Sequence, residues 1–374
     1  MANLAWKNLI HDKTRLVVTL VGVVFALVLV LVQLGLFLGF LDTTANIVVD
    51  SKADIWVASP KLPYVNAATP IPEKWRYLAL EVPGVERAEK FILQFAQWKL
   101  PTGASESVQV VGYDLASGIG APIRVSAGDL GDLYNVDTVL VDELYKEKLG
   151  VTHLGQTFEI NGRRARVVGY TTGIRSFTTS PYVFMSVKNA QNYMKFPVDR
   201  TSFILIRVAK GFGVADVRAA LKTKISSLDV LLSSEMQKQT QYYWLFSTGA
   251  GITTLMGAAL GLLVGMVVVA QTTYASTMDH IREFGTLKAM GAPNSYIYKV
   301  IIQQAVMAAV AGYVAAIITG MWVARASASG GAIILVPKEV VVGVLFLSVG
   351  MCVIASMISI RKATTIDPAL VFKG

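Results

Sequence analysis

The sequence predicts a membrane α-helical protein with four transmembrane helices and an extracytoplasmic α+β domain inserted between the first and the second. Three observations predict it. Four runs carry no charged residue: Leu16–Leu41, Thr248–Thr273, Val300–Ala324 and Val340–Ile360. Each approaches or exceeds the roughly 20 helical residues that cross a bilayer core. One long mixed segment, 42–247, separates the first run from the second. Finally, charge is scarce in the whole chain, at 16%, where a soluble domain carries about 25%.

Residues 1–15 come first. Leu4, Ala5, Trp6, Leu9 and Ile10 share one face of a short helix, with Lys7, Asn8, His11 and Asp12 opposite. That pattern predicts a cytoplasmic interfacial helix with Trp6 in the headgroup layer. The first span, 16–41, is expected to be an uncleaved anchor. Its apolar stretch is about twice that of a signal peptide, and no small-x-small cleavage site follows it.

The outer segment, 42–247, alternates strand and helix signals. Ala53–Ser59, Phe91–Leu100, Ser107–Tyr113, Thr157–Ile160, Ala165–Tyr170, Tyr182–Met185 and Ser202–Val208 are rich in β-branched and aromatic residues and predict strands. Asn161-Gly162 between two of them predicts a tight hairpin, because both turn positions need positive φ. Pro72–Leu80, Asp142–Leu149, Lys188–Met194 and Val214–Ile225 predict helices. Gln237–Phe246 then leads toward the second span, 248–273, and is expected to continue into it as one helix. Tyr242, Tyr243 and Trp244 form an aromatic cluster suited to the outer interface.

The second span carries Gly257, Gly261 and Gly265, with Gly249 and Thr253 extending the row of small residues. The third, 300–324, carries Ala308, Gly312, Ala316, Gly320 and Ala324 at the same spacing. Small residues every four positions let helix backbones approach closely. The same faces could also slide during a working cycle. A loop, 325–339, joins the third span to the fourth, 340–360, and a tail, 361–374, follows.

Orientation comes from Lys and Arg. The N-terminal segment holds Lys7, Lys13 and Arg15, the 274–299 loop holds Arg282, Lys288 and Lys299, and the tail holds Arg361, Lys362 and Lys373. The 325–339 loop holds Arg325 and Lys338. The positive-inside rule therefore places both termini and the 274–299 loop in the cytoplasm, and 42–247 outside. The formal charge of +9 is mostly topological. No basic stripe interleaves with aromatics, so nucleic-acid binding is not expected.

Catalytic and cofactor signals are missing. No G-x-x-x-x-G-K-[ST] loop occurs, so this chain is expected to bind no nucleotide of its own. His11, His153 and His280 are isolated, the one cysteine, Cys352, sits in the fourth span, and no cluster has metal-ligand spacing. No Asp, Glu, Lys, Arg or His lies inside a span, which argues against a proton or ion relay. The acidic pairs Asp142/Glu143 and Asp129/Asp132 read as helix starts and solvated turns, not as an active site. Any driven process needs energy from a partner.

The most informative segment is the cytoplasmic loop. Ser276 or Thr277 could cap a helix there, with Asp279 in its first turn. Ile281, Phe284 and Leu287 recur at three-residue spacing, and Gly291 and Pro293 supply a stop. Such an amphipathic helix either lies on the membrane or fits a groove on a soluble partner.

Glu283-Phe-Gly-Thr-Leu-Lys-Ala-Met-Gly291 resembles the E-x-G-x-L-K-A-x-G motif of FtsX/MacB-type ABC permeases. Ala5-Trp-Lys-Asn-Leu9 and Arg361-Lys-Ala-Thr-Thr-Ile-Asp-Pro-Ala-Leu370 are similar to that family's two ends. Thr178-Thr-Ser-Pro-Tyr-Val-Phe184 resembles the DevC-like subgroup, the permeases of glycolipid exporters. The resemblance implies a MacB-like core domain outside the inner membrane and a homodimer bound to two copies of an ABC ATPase subunit, which holds the ATP. It implies that 277–290 is the ATPase-coupling helix, with Ile281, Arg282, Glu283, Phe284, Gly285, Leu287, Lys288 and Gly291 in it. It further implies efflux of a lipid-like or other amphipathic substrate with a periplasmic adaptor (membrane fusion protein) and an outer-membrane channel. The alternative it leaves open is an FtsX-like relay that activates an extracytoplasmic hydrolase and transports nothing. A membrane-anchored enzyme is the third reading.

Overall fold

A computed structural model of the chain describes residues 13–176, 180–279, 283, 285–286, 288, 290–327 and 333–364. It divides into two units: 1–40 with 250–374, and 41–249.

The first unit contains four helices of spanning character. They are Lys13–Thr44, Ala250–Asp279, Asn294–Ser327 and Lys338–Thr364, here the first to fourth spanning helices. Each contains a stretch long and apolar enough to cross a bilayer. Val23 and Leu27 of the first pack with Val269, Ala309, Ala316, Val344 and Met351 from the other three. Two hydrogen bonds tie the third helix to the fourth: Ser348 Oγ donates to the Ala309 carbonyl (3.1 Å) and Tyr313 OH to the Val341 carbonyl (3.1 Å). With no water in the hydrocarbon layer, such hydroxyls must find partners inside the protein. The expected interfacial helix at 1–15 lies outside the described residues up to Asp12, and Lys13 already belongs to the first spanning helix.

The second unit is an α+β domain. Its strands are β1 Ile55–Ala58, β2 Ile71–Pro72, β3 Val85–Lys99, β4 Ser105–Tyr113, β5 Val125–Gly128, β6 Thr138–Asp142, β7 Thr157–Ile160, β8 Arg163–Thr171, β9 Tyr182–Ser186, β10 Arg200–Thr201, β11 Phe203–Val208 and β12 Asp229–Leu232. Its α-helices are α1 Asn46–Asp50, α2 Lys74–Leu80, α3 Lys146–Leu149, α4 Val187–Met194, α5 Val214–Lys224 and α6 Ser233–Tyr242. The main sheet runs β12-β1-β11-β3-β4-β9-β6-β8-β5, with β7 between β3 and β8 and with parallel pairs β4/β9 and β6/β8.

Strand β3 organises this sheet. Its first half, to Phe91, pairs with β11; its second half, from Ile92, pairs with β4. One continuous strand therefore serves two lobes. Because side chains alternate along a strand, Phe91 and Leu93 enter one core while Ile92, Ala96 and Trp98 enter another. In the first core Trp56 meets Phe91 and Phe203 edge-on, at 5.5 and 5.0 Å between ring centroids. In the second, Trp98 packs on Phe158 at 4.7 Å and its Nε1 donates to the Leu149 carbonyl (3.1 Å). A third core lies under α2 and α5, around Ile204, Ile206, Val217 and Leu221. Asn161 (φ 49°) and Gly162 (φ 79°) form the turn between β7 and β8 with the positive angles that the sequence requires.

Two expectations change. Asp142 ends β6 and does not open a helix: residues 143–145 form a 3-10 turn, and α3 begins at Lys146. The short strands β2, β5, β6, β10 and β12 were not expected. Strand β6 is buried along its whole length, so it lacks the alternation by which a half-buried strand is recognised.

Replacing Trp98 by Ala removes a fully buried ring and its hydrogen bond, and should cost about 3–5 kcal/mol. Thermal unfolding of the full chain in detergent should show a transition shifted down by several degrees, whereas Phe95→Ala, at a 41% exposed position of the same strand, should leave it within error.

Candidate functional site

The loop between the second and third spanning helices is the first element to place. The second spanning helix runs on to Asp279. Thr277 lies buried inside it, its Oγ1 donating to the Thr273 carbonyl (2.8 Å). Neither Ser276 nor Thr277 therefore caps a new helix; a threonine can bond back four residues without breaking the helix. Glu283, Gly285, Thr286 and Lys288 have helical backbone, Glu283 exposed and Gly285 buried. The turn ends as Met290 N donates to Thr286 O (3.0 Å) and Gly291 N to Lys288 O (2.9 Å). Gly291 has φ +90°, a conformation glycine adopts without strain at a helix end. Ile281, Arg282, Phe284 and Leu287 lie outside the described residues.

The spaced glycines come together on one partner. A methyl group added at Gly257 would lie 2.8 Å from the Gln33 side chain, at Gly261 2.9 Å from Leu29, and at Gly320 2.8 Å from Leu31. One added at Gly265 would strike Ala26, and one at Gly312 would strike Val23. Glycines of the second and third spanning helices thus admit five side chains of the first. The same device operates in reverse at two glycines that sequence reasoning passed over. Gly35 and Gly39 of the first helix receive the non-helical segment 333–337: Leu335 N donates to the Gly35 carbonyl (3.0 Å), and Ile333 backs onto Gly39. The four-residue spacing of Gly35 and Gly39 was the available signal.

The third element is the pair of chain crossings at the edge of the outer domain. Leu41 is among the last four residues of the first spanning helix, where carbonyls run short of backbone N–H partners and turn to side chains. It accepts from Thr44 Oγ1 (3.0 Å) and from Gln241 Nε2 of α6 (2.9 Å). The loop 59–68 holds the same region of α6. Val65 N donates to Thr240 Oγ1 (3.2 Å), and Gln239 Nε2 donates to the Leu62 carbonyl. Tyr64 stacks on Tyr243 with centroids 4.2 Å apart and planes 17° apart, and meets Trp244 edge-on at 5.4 Å. Burial and the neighbouring Tyr243 push the Tyr64 hydroxyl pKa up.

This junction corrects the expectation of an unbroken helix. After α6 the backbone widens into a π-helical turn, Tyr243–Ser247, and breaks at Gly249 (φ +74°) before the second spanning helix starts at Ala250. Gly249 is therefore a helix stop and not part of the packing row. Of the residues expected as interface anchors, Tyr243 stacks on Tyr64 and Trp244 meets it edge-on.

The acidic pairs serve the backbone. The buried Asp142 carboxylate accepts from Leu144 N (3.1 Å), Thr171 Oγ1 (2.9 Å) and Ile174 N (2.8 Å). Asp129 accepts from Gly131 N (2.8 Å). Among the described residues no group of three or more His, Cys, Asp or Glu is placed to hold a metal.

Comparison with known proteins agrees with this architecture. Residues 16–224 match the MacB-like periplasmic core domain family, and residues 239–368 match the FtsX-like permease C-terminal family. The uncharacterized ABC transporter permease Rv0072 of Mycobacterium tuberculosis is 26% identical over 385 residues, covering 99% of each chain. Rv2563 of the same organism, also an uncharacterized ABC transporter permease, is 25% identical over 382 residues, covering 97% of this chain and 96% of that one. YknZ of Bacillus subtilis is 26% identical over 249 residues, covering 62% and 59%. Among solved structures, the periplasmic region of MacB from Actinobacillus actinomycetemcomitans has a TM-score of 0.39 at 13% identity, covering 52% of this chain and 94% of that one. The extracellular domain of YknZ has a TM-score of 0.37 at 11% identity, covering 48% and 100%.

Four apolar helices with a large extracytoplasmic domain between the first two define a multi-pass permease of the inner membrane. The chain belongs to the MacB/FtsX family of ABC transporter permeases, a class that works with a separate ATPase.

Gly261→Leu should separate the second spanning helix from Leu29 and lower the thermal stability of the detergent-solubilised chain. Adding Leu29→Ala should restore much of the loss. An unchanged transition in the single variant would show that the glycine row does not carry this contact.

Proposed function

We propose that this permease uses hydrolysis of ATP on its partner to move the extracytoplasmic domain, and that this movement drives export of a lipid-like or other amphipathic substrate. The working unit is a homodimer with two ATPase subunits and a periplasmic adaptor feeding an outer-membrane channel. Both termini and the 274–299 loop face the cytoplasm, where the segment 277–290 docks on the ATPase. Phe284, Ile281 and Leu287 supply its apolar ridge, and Arg282, Glu283 and Lys288 orient it. The DevC-like wording of 178–184 supports a glycolipid-like cargo within this class.

The observation that carries this reading is the joining of the two chain crossings. The first spanning helix ends at a carbonyl held by Gln241, and the chain leaves the domain through a turn stacked on Tyr64. A domain gripped at entry and exit moves as one body when the helices feeding it move. The lack of a charged side chain in the spans supports action on substrate already outside the membrane core, since a path for a polar cargo would need polar lining.

The test lies in the coupling loop. Burial of one phenylalanine is worth roughly 1.5–3 kcal/mol, about tenfold or more in partner affinity. Phe284→Ala and Glu283→Lys should leave the protein in the membrane but uncouple ATP hydrolysis from export in the reconstituted complex. If both variants bind the ATPase and export normally, the loop is not the coupling element.

A further inference from the structure

Helix α1, Asn46–Asp50, follows the first spanning helix after a single residue, Ala45, and the side chains at its two ends lack a donor. Asn46 Nδ2 donates to the Arg175 carbonyl (2.5 Å), while Asn46 Oδ1 is buried and accepts nothing. A buried acceptor without a partner destabilises the fold more than an ordinary bond stabilises it. Turning the carboxamide over would set its oxygen against the Arg175 carbonyl, so a flip does not remove the conflict. Asp50 is half-buried, and among the described residues its carboxylate accepts no hydrogen bond and forms no ion pair. Residues four apart on a helix are neighbours, with Cβ atoms ~5–6 Å apart, and a helical side chain leans back over the turn before it. Asp50 therefore leans toward Asn46, and two oxygens in need of a donor share one side of α1. Ile47 and Val48 lie in the first core, which keeps the helix from rotating that side into water.

The charged groups around Asp50 leave it without a close counter-charge. Asp42, in the last turn of the first spanning helix, repels it, and Arg124, just before β5, attracts it from an exposed position. From β9 the buried Tyr182 lies within electrostatic range. On α6, which packs on α1 around Met236, Glu235 is taken up by Arg218 at 2.6 Å and Lys238 is exposed. Burial first, and Asp42 second, raise the Asp50 carboxyl above its ordinary range, against the pull of Arg124.

We propose that Asp50 is a proton switch: protonated, its carboxyl O–H donates to Asn46 Oδ1 and holds the carboxamide that binds the Arg175 carbonyl; ionised, it leaves that oxygen unpaired and sets two acceptors against each other. One proton supplies the donor that both side chains lack, and no other bond forms or breaks. Acid therefore fastens the first turn of the outer domain to the segment before β9, and neutral pH loosens it. The direction follows from the raised pKa of the folded state. The stabilisation is complete below the ordinary carboxyl pKa and is lost as pH rises through the folded one. The inference does not depend on the export reading.

The test follows thermal unfolding of the full chain in phosphatidylcholine nanodiscs as the pH is lowered from roughly 7.5 to 4.5, above the ordinary Asp pKa of about 3.9. Asp50→Asn carries a permanent N–H donor. At the upper end it should unfold roughly 2–4 °C above the parent, the shift that one such bond gives in a domain of about 200 residues. The gap should close as the pH falls and the parent gains its proton. Asp50→Leu removes the charge but donates nothing, and should unfold below Asp50→Asn. In an Asn46→Ala background the gain from Asp50→Asn should largely vanish, because the acceptor is gone. Three outcomes overturn the proposal: a gap between parent and Asp50→Asn that is absent or does not vary with pH, an Asp50→Leu variant as stable as Asp50→Asn, or an undiminished gain in the Asn46→Ala background.

Discussion

The outer domain's two chain ends meet at a hydrogen bond to the end of the first spanning helix. The last carbonyls of that helix run short of N–H partners, and Leu41 accepts from Thr44 Oγ1 in its own last turn and from Gln241, two hundred residues later in the chain. That bond closes the domain's beginning onto its end. The Tyr64–Tyr243–Trp244 stack and the bonds from Val65 and Gln239 reinforce the closure from the 59–68 loop. The π-helical turn and the positive φ of Gly249 break the helix at the point where the domain ends.

The membrane unit meets its own constraint with glycine. Without water to drive association, helices in a bilayer gain from close packing. Here the closeness runs both ways: glycines on the second and third helices receive side chains of the first, Gly22 of the first receives Val268 of the second, and Gly35 and Gly39 of the first receive a non-helical segment. The first helix is the common partner, and it is also the helix that enters the outer domain.

Much of this was legible in the sequence. Spanning helices announce themselves because an uncharged run of that length has few other uses, and the Asn161-Gly162 turn did so because two adjacent positive φ angles demand those residues. What was not legible depends on tertiary context. Strand β6 is buried on both faces, so its residues carry no period. Gly249 lies in register with Gly257, Gly261 and Gly265, and only its backbone angle distinguishes a stop from a packing position. The aromatic run at 242–244 suited a membrane interface equally well, and its stacking on Tyr64, some 180 residues away, leaves no local mark. For the 277–290 segment, Gly291 has the positive φ of a helix stop, whereas Ile281, Phe284 and Leu287 lie outside the described residues.

The central claim is that the outer domain is gripped at its exit so that helix movement reaches it. Tyr64→Ala removes the stack while leaving the spanning helices and the coupling loop intact, and Tyr64→Phe keeps the ring. Reconstituted with its ATPase, the alanine variant should hydrolyse ATP like the parent while export falls severalfold, and the phenylalanine variant should export normally. Undiminished export by the alanine variant at parental hydrolysis rates would contradict the account.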